Sequence, residues 1–147
     1  MTPLSEVKEG ASLPQLVKKV TRKDISLYAE ASRDFNPVHI DEEFAKKAGL
    51  DGTIAHGMLI LAYISEMMTA AFGENWLIGG RLDVRFKAAA RPGDTITVSG
   101  SIAKIETNGG VAAVHCAVQC SNEKGEAVIT GEAIVTAPVK QISNSGR

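Results

Sequence analysis

Apolar residues recur along this chain with two different periods, and the change between them divides it in half. In the first half, Ile25, Tyr28, Ala29 and Ser32 repeat at helical spacing, which predicts a helix of about ten residues with Ile25 and Tyr28 turned inward. Thr21, followed three residues on by Asp24, is the expected N-cap. That helix must stop before Pro37, because a proline pushes its predecessor out of the helical region. Asp41 is expected to cap a second short helix through Phe44, Ala45 and Ala48, closed by Gly49. Residues 58–72 are apolar nearly all the way round, with Ser65, Glu66 and Thr69 as a thin polar stripe and Gly73 behind them. A helix of that kind is buried on most sides. At fifteen residues, interrupted by a glutamate, it is too short to cross a bilayer.

The second half alternates. Leu82, Val84 and Phe86 fall on one face and Asp83, Arg85 and Lys87 on the other, the pattern of a strand wet on one side. After the turn Arg91-Pro-Gly-Asp94 come runs rich in Val, Ile and Thr at 95–106, 111–121 and 126–137, joined by hairpin signals at Asn108-Gly-Gly and Asn122-Glu-Lys-Gly125. A short strand is expected within 13–20, ahead of the first helix. Four long antiparallel strands in a meander leave one apolar face to cover, and the chain supplies one strongly apolar helix. The economical arrangement is a single α+β domain over residues 1–147, helices first and strands after, with a curved sheet wrapped around the helix. Residues 1–11 and 138–147 read as flexible ends.

Composition changes this picture little. At 147 residues the chain has the usual size of one domain, and 44% hydrophobic with 22% charged residues is close to the average for globular proteins. Sixteen Lys and Arg against seventeen Asp and Glu, spread along the chain, leave no basic face for nucleic acid. The N-terminal stretch carries no apolar run of signal-peptide length and the C-terminal Ser-Gly-Arg is not a peroxisomal address, so a cytoplasmic protein with no membrane association is expected. Cys116 and Cys120 share a strand face about 13 Å apart. That is beyond disulfide reach, and structural thiols in a reducing compartment are the expectation.

Candidate chemistry is concentrated in residues 34–58. Asp34-Phe-Asn-Pro-Val-His39 and Ala55-His56-Gly57-Met58 bring an Asp, an Asn, two of the three histidines and a glycine-led helix start into one stretch. A folding core has no use for that density of polar groups, because unpaired buried polar groups cost free energy. The stretch is therefore read as an active site. Each member also has a plainer reading: Asp34 as a helix-end residue, His39 as a satisfied structural histidine, and His56 as a cap or supporting residue. Ser65, Glu66 and Thr69 can satisfy one another or a partner subunit. His115, on the strand face opposite Cys116, reads as structural or interfacial. Asp34, His39, Asp41 and His56 match no common metal-ligand spacing, so no metal is expected.

The run Tyr28-Ala-Glu-Ala-Ser-Arg-Asp34-Phe-Asn36-Pro37-Val-His39, followed by Ala45 and by Ala55-His56-Gly57-Met58-Leu59, closely resembles the MaoC-like (R)-specific enoyl-CoA hydratases and dehydratases, over roughly residues 12 to 137. The resemblance implies the hotdog fold, a long central helix wrapped by an antiparallel sheet and usually dimerised edge to edge. It also implies hydration of a trans-2-enoyl-CoA or enoyl-acyl-carrier-protein thioester to the (R)-3-hydroxyacyl thioester, or the reverse. Such chemistry needs a base for water, a proton for Cα and a hold on the thioester oxygen. Asp34 and His39 are expected to activate the water. Gly57, at the start of the buried helix, is expected to offer its N–H and the positive end of the helix dipole to the oxyanion. Asn36 can donate to the thioester or fix the carboxylate, and the resemblance places Ser65 beside the site. No cofactor is implied, since the carrier belongs to the substrate. The competing readings are a hotdog thioesterase and the catalytic subunit of a heterodimeric 3-hydroxyacyl-acyl-carrier-protein dehydratase. Many members carry Gly where this chain has Arg33. Arg33 is expected to close the first helix in an ordinary conformation, since positive φ there would cost roughly 1 kcal/mol or more.

Overall fold

The computed structural model describes residues 7–138. The expected flexible ends fall mostly outside these residues, but where they fall inside them the expectation fails. Gly10 N–H donates to the Ile102 carbonyl (2.7 Å), Ile102 N–H donates to the Ala11 carbonyl (2.8 Å), and the Glu9 carboxylate accepts from Ile105 N–H (3.0 Å). With Val7 buried as well, the segment is bound to the sheet. Backbone pairing and one apolar anchor hold residues that sequence composition leaves blank.

The chain then forms β1 (Leu16–Lys19), α1 (Arg22–Ser32), a 3₁₀ turn (Pro37–His39), α2 (Glu42–Lys47), α3 (Gly57–Phe72), α4 (Glu74–Gly79), β2 (Arg81–Phe86), β3 (Thr95–Asn108), β4 (Val111–Ser121) and β5 (Ala127–Pro138). The expected caps are in place. The Thr21 hydroxyl accepts from Asp24 N–H (3.0 Å) and the Asp41 carboxylate from Phe44 N–H (3.1 Å). Gly49, at φ 92°, closes α2 with Gly49 N–H on the Lys46 carbonyl and Leu50 N–H on that of Ala45. On α1, Ile25 and Ala29 are the buried residues and Tyr28 is half-buried.

The short first strand falls within the expected 13–20. Two features depart from expectation. One is α4, whose six residues are too few to show a period. The other departure is topological. The sheet runs β1-β3-β4-β5-β2, all antiparallel, so β2 does not open a meander into β3 but lies at the far edge, pairing Phe86 with Ile129 and Arg81 with Ile134 of β5. Eight residues separate β2 from β3, more than a hairpin loop uses, and the Ala55 N–H bond to the Ala90 carbonyl (2.7 Å) fixes this crossing beneath the start of α3. Gly131 lets β5 approach β2 so closely that a β carbon has no room against the Asp83 and Val84 backbone. Leu82 and Val84 are half-buried as the alternation requires, whereas Phe86, at the end of the edge strand, is largely exposed.

The α3 helix is enclosed as foreseen. Ile60, Ile64, Met67, Met68 and Phe72 are buried against Ile96, Val98, Val114, Ile129 and Val135 of the sheet. Its polar stripe is satisfied locally: Glu66 pairs with Lys18 (2.9 Å) and the Thr69 hydroxyl donates to the Ser65 carbonyl (2.8 Å). Cys116 and Cys120 are free and buried, and burial pushes both thiols up to about 12. His115 lies between Glu106 (Nε2, 3.2 Å) and Glu132 (Nδ1, 3.5 Å) on neighbouring strands.

Arg33 requires a correction. It closes α1 not in an ordinary conformation but in the left-handed one, φ 62° and ψ 22°, alone among the described non-glycine residues. The chain must leave the helix axis abruptly to bring Asp34 over His56, and a left-handed residue is the usual way to make that turn.

Candidate active site

The site is assembled where the end of α1, the 3₁₀ turn and the first turn of α3 meet. Asp34 follows the left-handed Arg33, and its Oδ1 accepts from Asn36 N–H (3.2 Å). The Asn36 side-chain oxygen in turn accepts from Val38 N–H (3.2 Å), capping the 3₁₀ turn that Pro37 starts and His39 ends. Asn36 thus shapes the loop, and its amide oxygen is engaged in doing so. Loop and turn together aim the Asp34 carboxylate and the His39 ring at each other.

His39 Nδ1 lies 2.8 Å from the Ile54 carbonyl oxygen. A carbonyl only accepts, so the neutral ring carries its proton on Nδ1 and presents a bare Nε2. That Nε2 stands 3.9 Å from Asp34 Oδ2, too far for a direct hydrogen bond and a fitting separation for one water between them. The Asp34 side chain is 53% exposed while that of His39 is 10% exposed, so the carboxylate faces the opening and the imidazole backs it.

His56 is buried at 2% exposure beneath this pair. Its Nε2 donates to the Asp34 backbone carbonyl (2.9 Å), its ring stacks on His39 (centroids 3.8 Å apart, 25° between planes), and Tyr28 packs against it at 4.9 Å. Although His56 occupies the N-cap position of α3, its side chain makes no cap hydrogen bond. Its Nδ1 finds no protein partner among the described residues.

Asp34, His39 and His56 offer ligand atoms within 4.8 Å of one another, which raises the question of a metal. Each ring's lone pair lies in its own plane, and these near-parallel planes are stacked with centroids 3.8 Å apart. An ion ~2 Å from a nitrogen of each ring would sit well out of at least one plane, where imidazole offers no lone pair. The donor set does not fit a metal as it stands. Asp41, the fourth residue weighed for such a site, is occupied in capping α2.

Gly57 is the first residue of α3, so its N–H has no intrahelical acceptor and no side chain caps it. It opens on an apolar slot of about 330 Å³ walled by Phe86, Ile60, Ala88, Ala90 and Val128. A β carbon at Gly57 would stand 3.0 Å from Phe86 Cε1, so the close approach depends on glycine. Ser65 lies farther off, two turns along α3, or about 12 Å at 1.5 Å per residue. Its hydroxyl accepts from the Trp76 indole N–H of α4 (3.0 Å), and it shares a groove with Tyr28, Met58 and Leu82. The structure therefore brings Asp34, His39 and His56 together, sets Gly57 directly after His56 on a slot that neither Asp34 nor His39 lines, ties Asn36 into the loop, and sets Ser65 apart with Trp76.

Sequence reasoning missed what holds His39 from behind. Thr53 (2% exposed) donates its hydroxyl to Glu42 Oε1 (2.7 Å), and Arg22 Nη1 donates to the same oxygen (2.9 Å). These hydrogen bonds, Thr53 first and Arg22 next, hold the Glu42 carboxyl down to about 2. Three residues scattered over 31 positions carry no periodic signal that could have joined them.

A five-stranded antiparallel sheet around one buried helix, with a carboxylate and an imidazole meeting over that helix's N-terminus, is the arrangement of a hotdog-fold protein. The comparisons narrow the class. The model of the MaoC-like domain family matches residues 7–123, and the chain belongs to that family. It is 33% identical to an (R)-specific enoyl-CoA hydratase of Rhodospirillum rubrum, over 92% of this chain and 91% of that one. It is 34% identical to a mitochondrial 3-hydroxyacyl-acyl-carrier-protein dehydratase of Arabidopsis thaliana, over 79% and 69%. Among solved structures, an unliganded R-hydratase from Pseudomonas aeruginosa superposes with a TM-score of 0.78 at 28% identity, over 92% of this chain and 85% of that one.

Proposed function

We propose that this chain is a hydro-lyase that interconverts a trans-2-enoyl thioester and the (R)-3-hydroxyacyl thioester, with Asp34 and His39 as its proton-transfer pair. The observation that carries the residue assignment is the 3.9 Å gap between Asp34 Oδ2 and His39 Nε2, two acceptors facing one space. A water there donates one hydrogen to each, which leaves its oxygen lone pair directed at Cβ. As the C–O bond forms, Asp34 takes one proton, and the pair returns a proton to Cα. Atoms balance as one water added across the double bond. In dehydration the same groups act in reverse, the acid delivering a proton to the departing hydroxyl.

The thioester carbonyl is read as lying against Gly57 N–H, where the uncapped first turn of α3 offers its orphan donors and dipole to the enolate oxygen. His56 holds Asp34 in place through its backbone carbonyl and does no chemistry itself. Asn36 keeps the loop turned, and Ser65 with Trp76 closes the far end of the helix groove. The carrier, coenzyme A or acyl carrier protein, arrives with the substrate, and these steps call for no further cofactor.

The sheet ends in two edges, β1 and β2, and the six-residue β2 offers an unpaired backbone row suited to a second copy of the chain or a related hotdog subunit. A homodimer is the proposal, and a stable monomer by light scattering refutes it. A reducing compartment such as the cytoplasm suits two unpaired buried thiols. Among the described residues no helix is long and apolar enough to cross a membrane.

The test is hydration of crotonyl-CoA followed by loss of enoyl absorbance. Asp34→Asn is expected to lower kcat by about 10²–10⁴-fold, the usual range for removing a general base. An Asp34→Asn protein with the wild-type rate defeats the assignment. Release of free thiol from an acyl-CoA, without hydration, favours the thioesterase.

A further inference from the structure

We propose that Glu42, with Arg22 and Thr53, is a positioning unit that fixes the ring of His39, a reading that rests on the role given to His39 above. Arg22 opens α1, Glu42 opens α2, and Thr53 sits in the loop between α2 and α3, so the network ties three separate elements at one carboxylate. Exposed Arg–Glu pairs contribute little by themselves. What sets this one apart is Thr53: its hydroxyl is buried, and Glu42 Oε1 at 2.7 Å accepts its proton. Without that carboxylate a buried donor is orphaned and the loop has reason to move. Gly52, next to it, lies so close under the carboxylate that a β carbon would stand 2.8 Å from Glu42 Oε2.

Ile54 follows Thr53 directly. Its N–H donates to the Val38 carbonyl (3.1 Å) and its carbonyl accepts the Nδ1 proton of His39 (2.8 Å). The contact path from Glu42 to the imidazole is therefore one side-chain hydrogen bond, one peptide unit and one hydrogen bond to the ring. What it controls is the tautomer. While the Ile54 carbonyl stays in place, the proton belongs on Nδ1 and Nε2 is free to accept from water. If the loop relaxes, the ring can carry its proton on Nε2 instead, and the atom facing Asp34 becomes a donor that competes for the carboxylate. The plainer alternative is that the network only tethers α1 to α2.

Steady-state kinetics on crotonyl-CoA and ¹⁵N–¹H correlation of the His39 ring separate the two, using the full chain. Glu42→Ala and Thr53→Val are each expected to lower kcat about tenfold or more with KM changed less than about twofold. They are also expected to populate the Nε2–H form of His39, where the wild type shows Nδ1–H. Thr53→Ser, which keeps the hydroxyl, is expected to match the wild type in both. Should Glu42→Ala fail to fold, the Thr53 pair decides. Lowered thermal stability with wild-type kcat and an unchanged Nδ1–H signal overturns the proposal and leaves a tether. A wild-type chain that does not hydrate crotonyl-CoA defeats the function proposed above, while the ring spectra still decide this inference on their own.

Discussion

Replacing Arg33 by glycine should make the protein more stable. Arg33 holds φ 62° and ψ 22°, a conformation in which the β carbon crowds the following carbonyl at a cost of about 1–2 kcal/mol. Glycine removes that cost in the folded state but gains freedom in the unfolded chain, which returns about 0.4–1 kcal/mol. The net expectation is a gain of about 0.5–1 kcal/mol, or about 1–4 °C in the midpoint of thermal unfolding for a chain of this size. Charge must be separated from backbone, because a cation at a helix C-terminus also interacts favourably with the dipole. Arg33→Ala provides the control: it loses the charge and keeps the β carbon. Calorimetry should therefore rank Gly above Ala by about 1 kcal/mol, with Ala equal to or below the wild type. Crotonyl-CoA hydration should stay within about twofold in the glycine variant if the loop keeps its turn, since glycine reaches the same φ and ψ without strain. A glycine variant no more stable than the alanine variant would refute the strain argument. Equal stability combined with lost activity would instead make the Arg33 side chain itself a contributor to substrate binding.

Gly57→Ala should lower kcat at least about tenfold while leaving the unfolding midpoint within about 2 °C, since alanine favours the helix but its methyl meets Phe86 at 3.0 Å where the thioester is proposed to lie; an undiminished kcat removes Gly57 from the site. Trp76→Phe loses the indole bond to Ser65 Oγ and should cost about 1 kcal/mol in chemical denaturation, with Ser65→Ala costing no more when the two are combined. In native protein at pH 8 neither Cys116 nor Cys120 should react with a thiol reagent, their thiols being pushed up to about 12, and both should react on unfolding. Because the Glu42 carboxyl is held from 4.5 to about 2 in the folded state, the unfolded chain takes up that proton first as pH falls. The stability it contributes is complete above about pH 4.5, declines on acidification and is lost near pH 2, and Glu42→Gln should flatten that limb of the acid titration.

The periodic parts of the molecule could be read from the chain because period is what burial imprints on sequence. The three long strands, the enclosing of α3 and the caps at Thr21 and Asp41 all follow from local rules, and each sits where those rules put it. What eluded the sequence is pairing at a distance. Alternation at Leu82, Val84 and Phe86 says that a strand is half wet, not which strand it joins, and the pairing of β2 with β5 rather than β3 carries no local signal. The dense stretch from Asp34 to Gly57 shows in the sequence that polar groups gather there, and the structure does bring Asp34, His39 and His56 together, yet the partners that hold them carry no such signal. The Ile54 carbonyl, the Thr53 hydroxyl and the Glu42 carboxylate are individually unremarkable residues whose meaning is their mutual distance. Arg33 shows the reverse case, a residue type that argues for ordinary helix and a turn that overrides it.

The start of α3 is where the proposed function asks one helix to serve both the core and the site. An ordinary helix gives its first N–H groups to a capping side chain, and leaving the cap out costs about 1 kcal/mol. Here the residue at the cap position, His56, turns its side chain to Asp34 instead, and Gly57 follows with no side chain at all. The donors that would have been consumed by a cap stay available at the mouth of the slot. The helix tolerates this because seven of its side chains are buried inside the sheet. Fully burying each large apolar one contributes about 1.5–3 kcal/mol, so the loss at the terminus is small beside the burial. The same comparison explains why the site lies at this end. The C-terminal end is closed by Gly73, whose N–H returns to the Thr69 carbonyl (2.8 Å), and α4 continues directly from it. Of the two ends of α3, the N-terminus combines uncapped donors, a positive dipole and the folded-back loop that sets Asp34 and His39 3.9 Å apart, which is what the proposed chemistry needs.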